Sequence, residues 1–164
     1  MIEKKQNLSD YDLQNVPKVK GVKIGIAVAD WNRNITFSMK DAAIEVLKAQ
    51  GVDDDHIIVR EVPGSFELPL AAQIMLEADS HLDAVICIGC VIQGETRHFD
   101  FICDAVSNGI MRVGLDYNTP VIFGVLTTNN MEQALDRAGG KHGNKGVEAA
   151  VSCLQMLALE RQLR

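Results

Sequence analysis

The chain has 164 residues and a mass of 18.0 kDa, with 47% hydrophobic and 23% charged residues. These proportions fit one globular domain with its own core and argue against a disordered chain. Sixteen Lys and Arg against 22 Asp and Glu leave a net charge of −6, which supplies no general field for a phosphate backbone and argues against nucleic acid as a partner.

Residues 1–20 are polar, carry one proline and show no helical or strand period. They read as an N-terminal arm that is ordered only where something outside the core holds it. A short apolar run over 22–29 predicts the first strand. Met39, Ala43, Val46 and Leu47 recur at helical spacing with Gly51 as a stop, and predict an amphipathic helix over 39–50. The β-branched run at 57–62 predicts a second strand, ended by the Pro63-Gly64 turn. Residues 68–78 read as a helix, because Pro69 is tolerated in a first turn. A third strand is expected at 83–89. Phe99, Ile102, Val106, Ile110 and Val113 then mark a helix, and 120–126 a fourth strand. Two further helices, near 130–138 and 145–163, are joined by a glycine-rich turn.

Continuous apolar strands alternating with helices predict a parallel sheet covered on both faces. Right-handed crossovers then leave an α/β three-layer sandwich on a four-stranded parallel sheet, flavodoxin-like in type, filling 21–164 as one domain. No apolar run reaches the ~18 residues of a membrane span, and the N-terminus has no apolar stretch that could act as a secretory signal. The expectation is a cytoplasmic protein with no membrane partner and its four cysteines reduced.

In such sheets ligands bind beyond the carboxyl ends of the strands. That rule selects the segments 29–32, 63–67, 90–98 and 123–129. The pair Cys87-Ile-Gly-Cys90 has redox spacing, but a separation of three within a strand puts the two thiols on opposite faces. Cys103 and Cys153 fall on apolar helix faces. No second Cys or His pair sits at zinc spacing, so no metal is expected. His56 lies in an acidic loop and reads as solvated. The stretch Gly139-Gly-Lys-His-Gly-Asn-Lys-Gly146 lacks the Ser or Thr of a phosphate-binding Walker loop. It reads as a glycine cap and tight turn, although Arg137, Lys141 and Lys145 gather beside it in an otherwise acidic chain.

The strongest segment is Val91-Ile-Gln-Gly-Glu-Thr-Arg-His-Phe-Asp100, a polar loop from a strand end into a helix. The N–H groups of Glu95 and Thr96 are expected to open that helix as a phosphate site. His98 follows, a residue type that exchanges protons near neutral pH. Trp31, the single tryptophan, could stack on a planar heterocycle. Glu67 by itself reads as a helix N-terminal acid and Phe123 as a strand core residue. Together these residues describe a site for a phosphorylated small molecule with a histidine placed for proton transfer.

Four segments carry a resemblance: Val62-Pro-Gly-Ser-Phe-Glu-Leu-Pro69, Gly89-Cys-Val-Ile-Gln-Gly-Glu-Thr-Arg-His-Phe-Asp100, Pro120-Val-Ile-Phe-Gly-Val-Leu-Thr-Thr128 and Ala138-Gly-Gly-Lys-His-Gly-Asn-Lys-Gly146. In order and spacing they resemble the 6,7-dimethyl-8-ribityllumazine synthase family, from about Val22 onward. The resemblance implies a transferase in the penultimate step of riboflavin biosynthesis. There a ribitylamino-pyrimidinedione amine condenses with 3,4-dihydroxy-2-butanone 4-phosphate, without a cofactor or metal.

By that resemblance Trp31 stacks on the pyrimidine ring, and Ser65, Phe66 and Glu67 hold the ribityl chain. The backbone of Cys90, Val91 and Ile92 reads the pyrimidine edge. Glu95, Thr96 and Arg137 bind phosphate, His98 transfers protons, and Lys145 stands close by. Phe123 closes the pocket of an adjacent subunit. The resemblance also implies a pentamer whose N-terminal arm joins a neighbour's sheet, a 60-subunit shell of twelve pentamers, and an association with riboflavin synthase. Gln93, Glu95, Arg97 and Gly140 depart from the residues common in that family. The rival reading is a non-catalytic flavin- or lumazine-binding shell protein, which would not need His98, Arg137 and the anion site together.

Overall fold

The computed structural model describes residues 7–164, so the first six residues of the expected arm lie outside it. In chain order the elements are β1 (Ile24–Ala29), α1 (Arg33–Ala49), β2 (Ile57–Val62), α2 (Leu68–Ala78), β3 (Ala84–Ile92), α3 (His98–Tyr117), β4 (Val121–Thr128), α4 (Met131–Asp136), β5 (Ala138–Gly140), β6 (Gly143–Asn144) and α5 (Lys145–Leu163). The four long strands pair in parallel in the order β2-β1-β3-β4. This is the expected three-layer sandwich, and its winding reverses between β1 and β3.

Side chains alternate across the strands, and the alternation sorts the core into two layers. Ile24, Ile26 and Val28 of β1, with Ile86, Ile88 and Cys90 of β3, pack under α1 and α5. Ala27, Val85, Cys87 and Val125 face α2 and α3. Cys87 and Cys90 therefore sit on opposite faces, as their spacing requires.

Three boundaries differ from the sequence reading. The helix α1 starts at Arg33 rather than near Met39. Its first turns hold Asn34, Ile35, Thr36 and Ser38, all poor helix formers, yet Ile35 is fully buried and the Thr36 hydroxyl donates to the Ala29 carbonyl at 2.6 Å. Tertiary contact overrides propensity there. The glycine turn before α5 is instead a two-stranded antiparallel hairpin, β5–β6, with Ala138 opposite Asn144. Gly139 (φ 110) and Gly143 (φ 87) supply its left-handed backbone. Finally, the expected arm does carry core residues. Val16 and Val19 are 5% and 2% exposed in the α1/α5 layer, and the buried Gln50 amide donates to the Leu13 carbonyl at 3.1 Å. Two isolated valines have no period, which is why the pattern could not reveal them.

The crossing of α1 and α5 is tight. A Cβ at Gly146 would come within 2.6 Å of the Met39 carbonyl carbon and nearer still to its oxygen. By contrast, a Cβ at Gly94 would meet nothing within 4 Å. Gly146→Ala is therefore expected to cost about 3 kcal/mol of stability, an overpacking penalty against immovable backbone. Gly94→Ala should change stability by less than about 0.5 kcal/mol. Denaturant unfolding of both variants checks the contrast.

Candidate active site

At the carboxyl ends of the strands, the chain leaves a sheet that is buried on both faces and becomes exposed within a residue or two. Pairing of β1 with β2 continues past their ends. The Asp30 N–H donates to the Val62 carbonyl at 2.8 Å and the Trp31 N–H to the Pro63 carbonyl at 3.0 Å. Asn32 then adopts the left-handed conformation (φ 61) and turns the chain into α1. Trp31 is thereby fixed by its backbone at the rim while the residue stays 74% exposed, an indole open to a planar ligand.

Beyond β2, the Gly64 N–H donates to the Glu67 carboxylate at 3.0 Å, which holds that carboxylate on its own turn. Ser65 is buried and its hydroxyl lies 3.5 Å from the Cys90 carbonyl. This approach needs the glycine at 89, where a Cβ would fall against Ser65 Oγ and stand 2.9 Å from Leu68 Cδ1. Phe66 points outward and is exposed.

At the end of β3, Cys90 is buried and Val91 and Ile92 are half-buried. The Gln93 N–H reaches the Thr128 carbonyl at 2.8 Å and extends the pairing with β4. Residues 93–98 are exposed. The helix α3 opens at His98, so Glu95 and Thr96 lie in the bend before it rather than in its first turn. Thr96 instead offers its hydroxyl oxygen to the His98 N–H at 3.4 Å, a local side-chain bond that ends the loop. Trp31, Ser65, Phe66, Glu67, Cys90, Val91, Ile92, Glu95, Thr96 and His98 thus occupy one rim of one chain.

Arg137 comes just after α4. Its guanidinium donates to the His142 carbonyl at 2.7 Å and to the Glu148 carboxylate at 2.6 Å. With Thr128, Asn130, Gln133, Lys141 and His142 it lines a cleft of about 640 Å³. Lys145 Nζ is 3.9 Å from the other Glu148 oxygen. Among the described residues, no hydrogen bond or ion pair joins Arg137 or Lys145 to Glu95, Thr96 or His98. Glu148 was not singled out by sequence, because an acid in the first turn of a helix is an ordinary N-terminal residue.

Phe123 is not at the rim. It pairs with Cys87, whereas Leu126, Thr127 and Thr128 pair with Cys90, Val91 and Ile92. Five strand residues place it roughly 16 Å below the carboxyl end of β4. There it is half-buried against the α2/α3 layer and borders an apolar groove of about 570 Å³. The expected rim segment 123–129 therefore reaches the rim only at its end, because β4 runs longer than its apolar pattern suggests.

Asp53, Asp55 and His56 bring one potential ligand atom each within 4.8 Å of one another. They precede β2 and so lie at the opposite end of the sheet from the rim. His56 is half-buried, not solvated, and its Nδ1 has no partner among the described residues. No helix among the described residues is long and apolar enough to cross a membrane.

Residues 21–161 match the family model described as 6,7-dimethyl-8-ribityllumazine synthase. Relatives bearing that name include one from Cytophaga hutchinsonii, 58% identical over 153 residues, with 93% of this chain and 95% of the relative covered. Another, from Porphyromonas gingivalis, is 56% identical over 155 residues, covering 94% and 96%. A third, from Flavobacterium johnsoniae, is 48% identical over 162 residues, covering 99% and 85%.

All four cysteines are free. Burial pushes the thiols of Cys87 and Cys153 up to about 12 and that of Cys90 up to about 11. Because burial disfavours the thiolate, each is protonated and unreactive near neutral pH. A colorimetric thiol titration of the native protein at pH 8 should count at most Cys103 as fast-reacting, and all four after denaturation. Fast reaction of Cys87 or Cys90 would restore the dithiol reading.

Proposed function

The chain belongs to the 6,7-dimethyl-8-ribityllumazine synthase family, and from that premise we propose how its rim residues divide the work of the family's reaction. It is a transferase of riboflavin biosynthesis that condenses 5-amino-6-(D-ribitylamino)uracil with 3,4-dihydroxy-2-butanone 4-phosphate. The products are 6,7-dimethyl-8-ribityllumazine, phosphate and water. The observation that carries the assignment of roles is the convergence of an exposed indole, a glycine-backed serine turn and a histidine-led helix at one rim.

Trp31 stacks on the pyrimidine, and the backbone at Cys90, Val91 and Ile92 reads its edge. Ser65, Phe66 and Glu67 hold the ribityl chain, with the Glu67 carboxylate already fixed by the Gly64 N–H. Glu95, through its backbone N–H, and Thr96 receive the phosphate at the entry to α3, and Arg137 anchors it by charge-assisted hydrogen bonds, with Lys145 adding positive charge. His98 moves protons during imine formation, phosphate loss and ring closure. These steps need proton transfers and a held phosphate, so the chemistry proceeds without a cofactor or metal. Amine and ketone condense readily once aligned, so orientation supplies most of the acceleration. A non-catalytic shell protein that binds flavin or lumazine would have no use for His98 and Arg137 together.

The position of Phe123 supports an assembly. It lies well below the rim of its own chain, free to wall a second copy's pocket, and Met111, Leu115 and Leu163 leave an apolar surface around it. The assembly is a pentamer with each pocket completed by a neighbour. The short hairpin between α4 and α5 leaves twelve pentamers free to dock as a closed 60-subunit shell. Riboflavin synthase, the consumer of the product, is its partner. Four unpaired thiols fit a cytoplasmic location.

Mixing the two substrates with the protein should produce the lumazine absorbance. Arg137→Ala is expected to lose more activity than His98→Ala, whose loss should be about 10² or less. A clearly larger loss at His98 in steady-state kinetics sinks the ranking. The chain mass is 18.0 kDa, so light scattering should give about 1,080 kDa for sixty chains rather than about 90 kDa for five. A single stable species near the smaller mass refutes the shell.

A further inference from the structure

Ser9 belongs to the N-terminal segment, yet it sits on the charged cluster around Arg137. Its hydroxyl oxygen accepts the Asn144 N–H at 2.7 Å. Its proton has two acceptors in reach, the Asn144 carbonyl at 2.8 Å and Glu148 Oε2 at 3.2 Å. Glu148 Oε2 is the same atom that receives the Arg137 guanidinium. The site is built for this segment. A Cβ at Gly143, which has φ 87, would stand 2.5 Å from Ser9 Oγ and 2.7 Å from Ser9 Cβ. Asn144 in turn accepts the Gly146 N–H at 2.8 Å and so caps α5, the helix that carries Glu148.

We propose that Ser9 is a positioning residue: through Glu148 it holds the Arg137 guanidinium in the orientation that receives the substrate's phosphate. The inference rests on the phosphate role given to Arg137 above. Glu148 can turn toward either of two cations, since Arg137 is bound to Oε2 and Lys145 lies 3.9 Å from Oε1. The Ser9 hydroxyl biases the carboxylate toward one setting. Arg137 is then held at two points, by Glu148 and by the His142 carbonyl, and its remaining N–H groups stay directed at an incoming anion. An anchor fixed before the ligand arrives loses less freedom on binding. The N-terminal segment thereby contributes to affinity for one substrate without touching it.

The test uses the full chain, with steady-state kinetics for both substrates and inorganic phosphate as a competitive probe. Ser9→Ala should raise KM for the butanone phosphate and Ki for inorganic phosphate by about threefold to tenfold, the worth of one hydrogen bond to a carboxylate. The kcat and KM for the amine should stay within about twofold. Glu148→Gln should shift the same constants further, and Ser9→Ala added to it should change little more, because one pathway carries both effects. Three results overturn the proposal: an unchanged phosphate Ki in Ser9→Ala, a fall in kcat and a rise in both KM values together, or a full Ser9 effect in the Glu148→Gln background. Arg137→Ala separates the two levels. If it weakens phosphate and Ser9→Ala does not, the inference about Ser9 fails alone; if it leaves phosphate binding intact, the role of Arg137 fails and takes this inference with it.

Discussion

A parallel sheet buried on both faces leaves almost nowhere for chemistry except its ends. All six residues of β1 and the first seven of β3 are buried, and their backbone groups are used up by neighbouring strands. An ionised or unpaired polar side chain placed there would cost more than the fold can supply. At the carboxyl ends this saturation stops. Backbone groups come free, side chains reach water, and chains leaving adjacent strands are forced into proximity. The whole polar inventory of the rim, from Trp31 to His98, follows from that one restriction.

Close backbone approaches then decide where on the rim each group stands. Gly89 lets the Ser65 turn cross toward β3, so a segment after β2 meets the end of a strand two places away in the sheet. Gly124 lies 2.8 Å, at its would-be Cβ, from the Cys87 carbonyl and 3.2 Å from Ala149, which seats α5 against β4. Gly146 seats the same helix against α1. Since α5 also carries Glu148, the position of the Arg137 cluster is an outcome of core packing, and a methyl group at either contact would move it.

Among the described residues, no hydrogen bond or ion pair joins Arg137 or Lys145 to Glu95, Thr96 or His98, although the Gln93 N–H ties the end of β3 to Thr128 in the Arg137 cleft. Phe123 lies toward the opposite end of its strand from the rim. The exposed apolar side chains of α3 and α5, among them Met111, Leu115 and Leu163, form a surface whose removal from water would be favourable.

The sequence by itself determined the fold class and the identity of the rim. The apolar stretches at 22–29 and 83–89 read as strands covered on both faces, and glycines and polar residues at their ends mark where the covering stops. The Cys87 and Cys90 thiols were separable by alternation alone. Three features were decided only in three dimensions. Poor helix formers at 34–38 became helical because Ile35 is buried and Thr36 bonds back to β1. Glycines that could cap a helix made a hairpin because Ala138 found Asn144. Ser9 and Glu148, each unremarkable in its local context, met across 139 positions of chain. Local pattern reports which face of an element is apolar, whereas a contact between distant residues depends on how whole elements pack, and no period in the sequence encodes it.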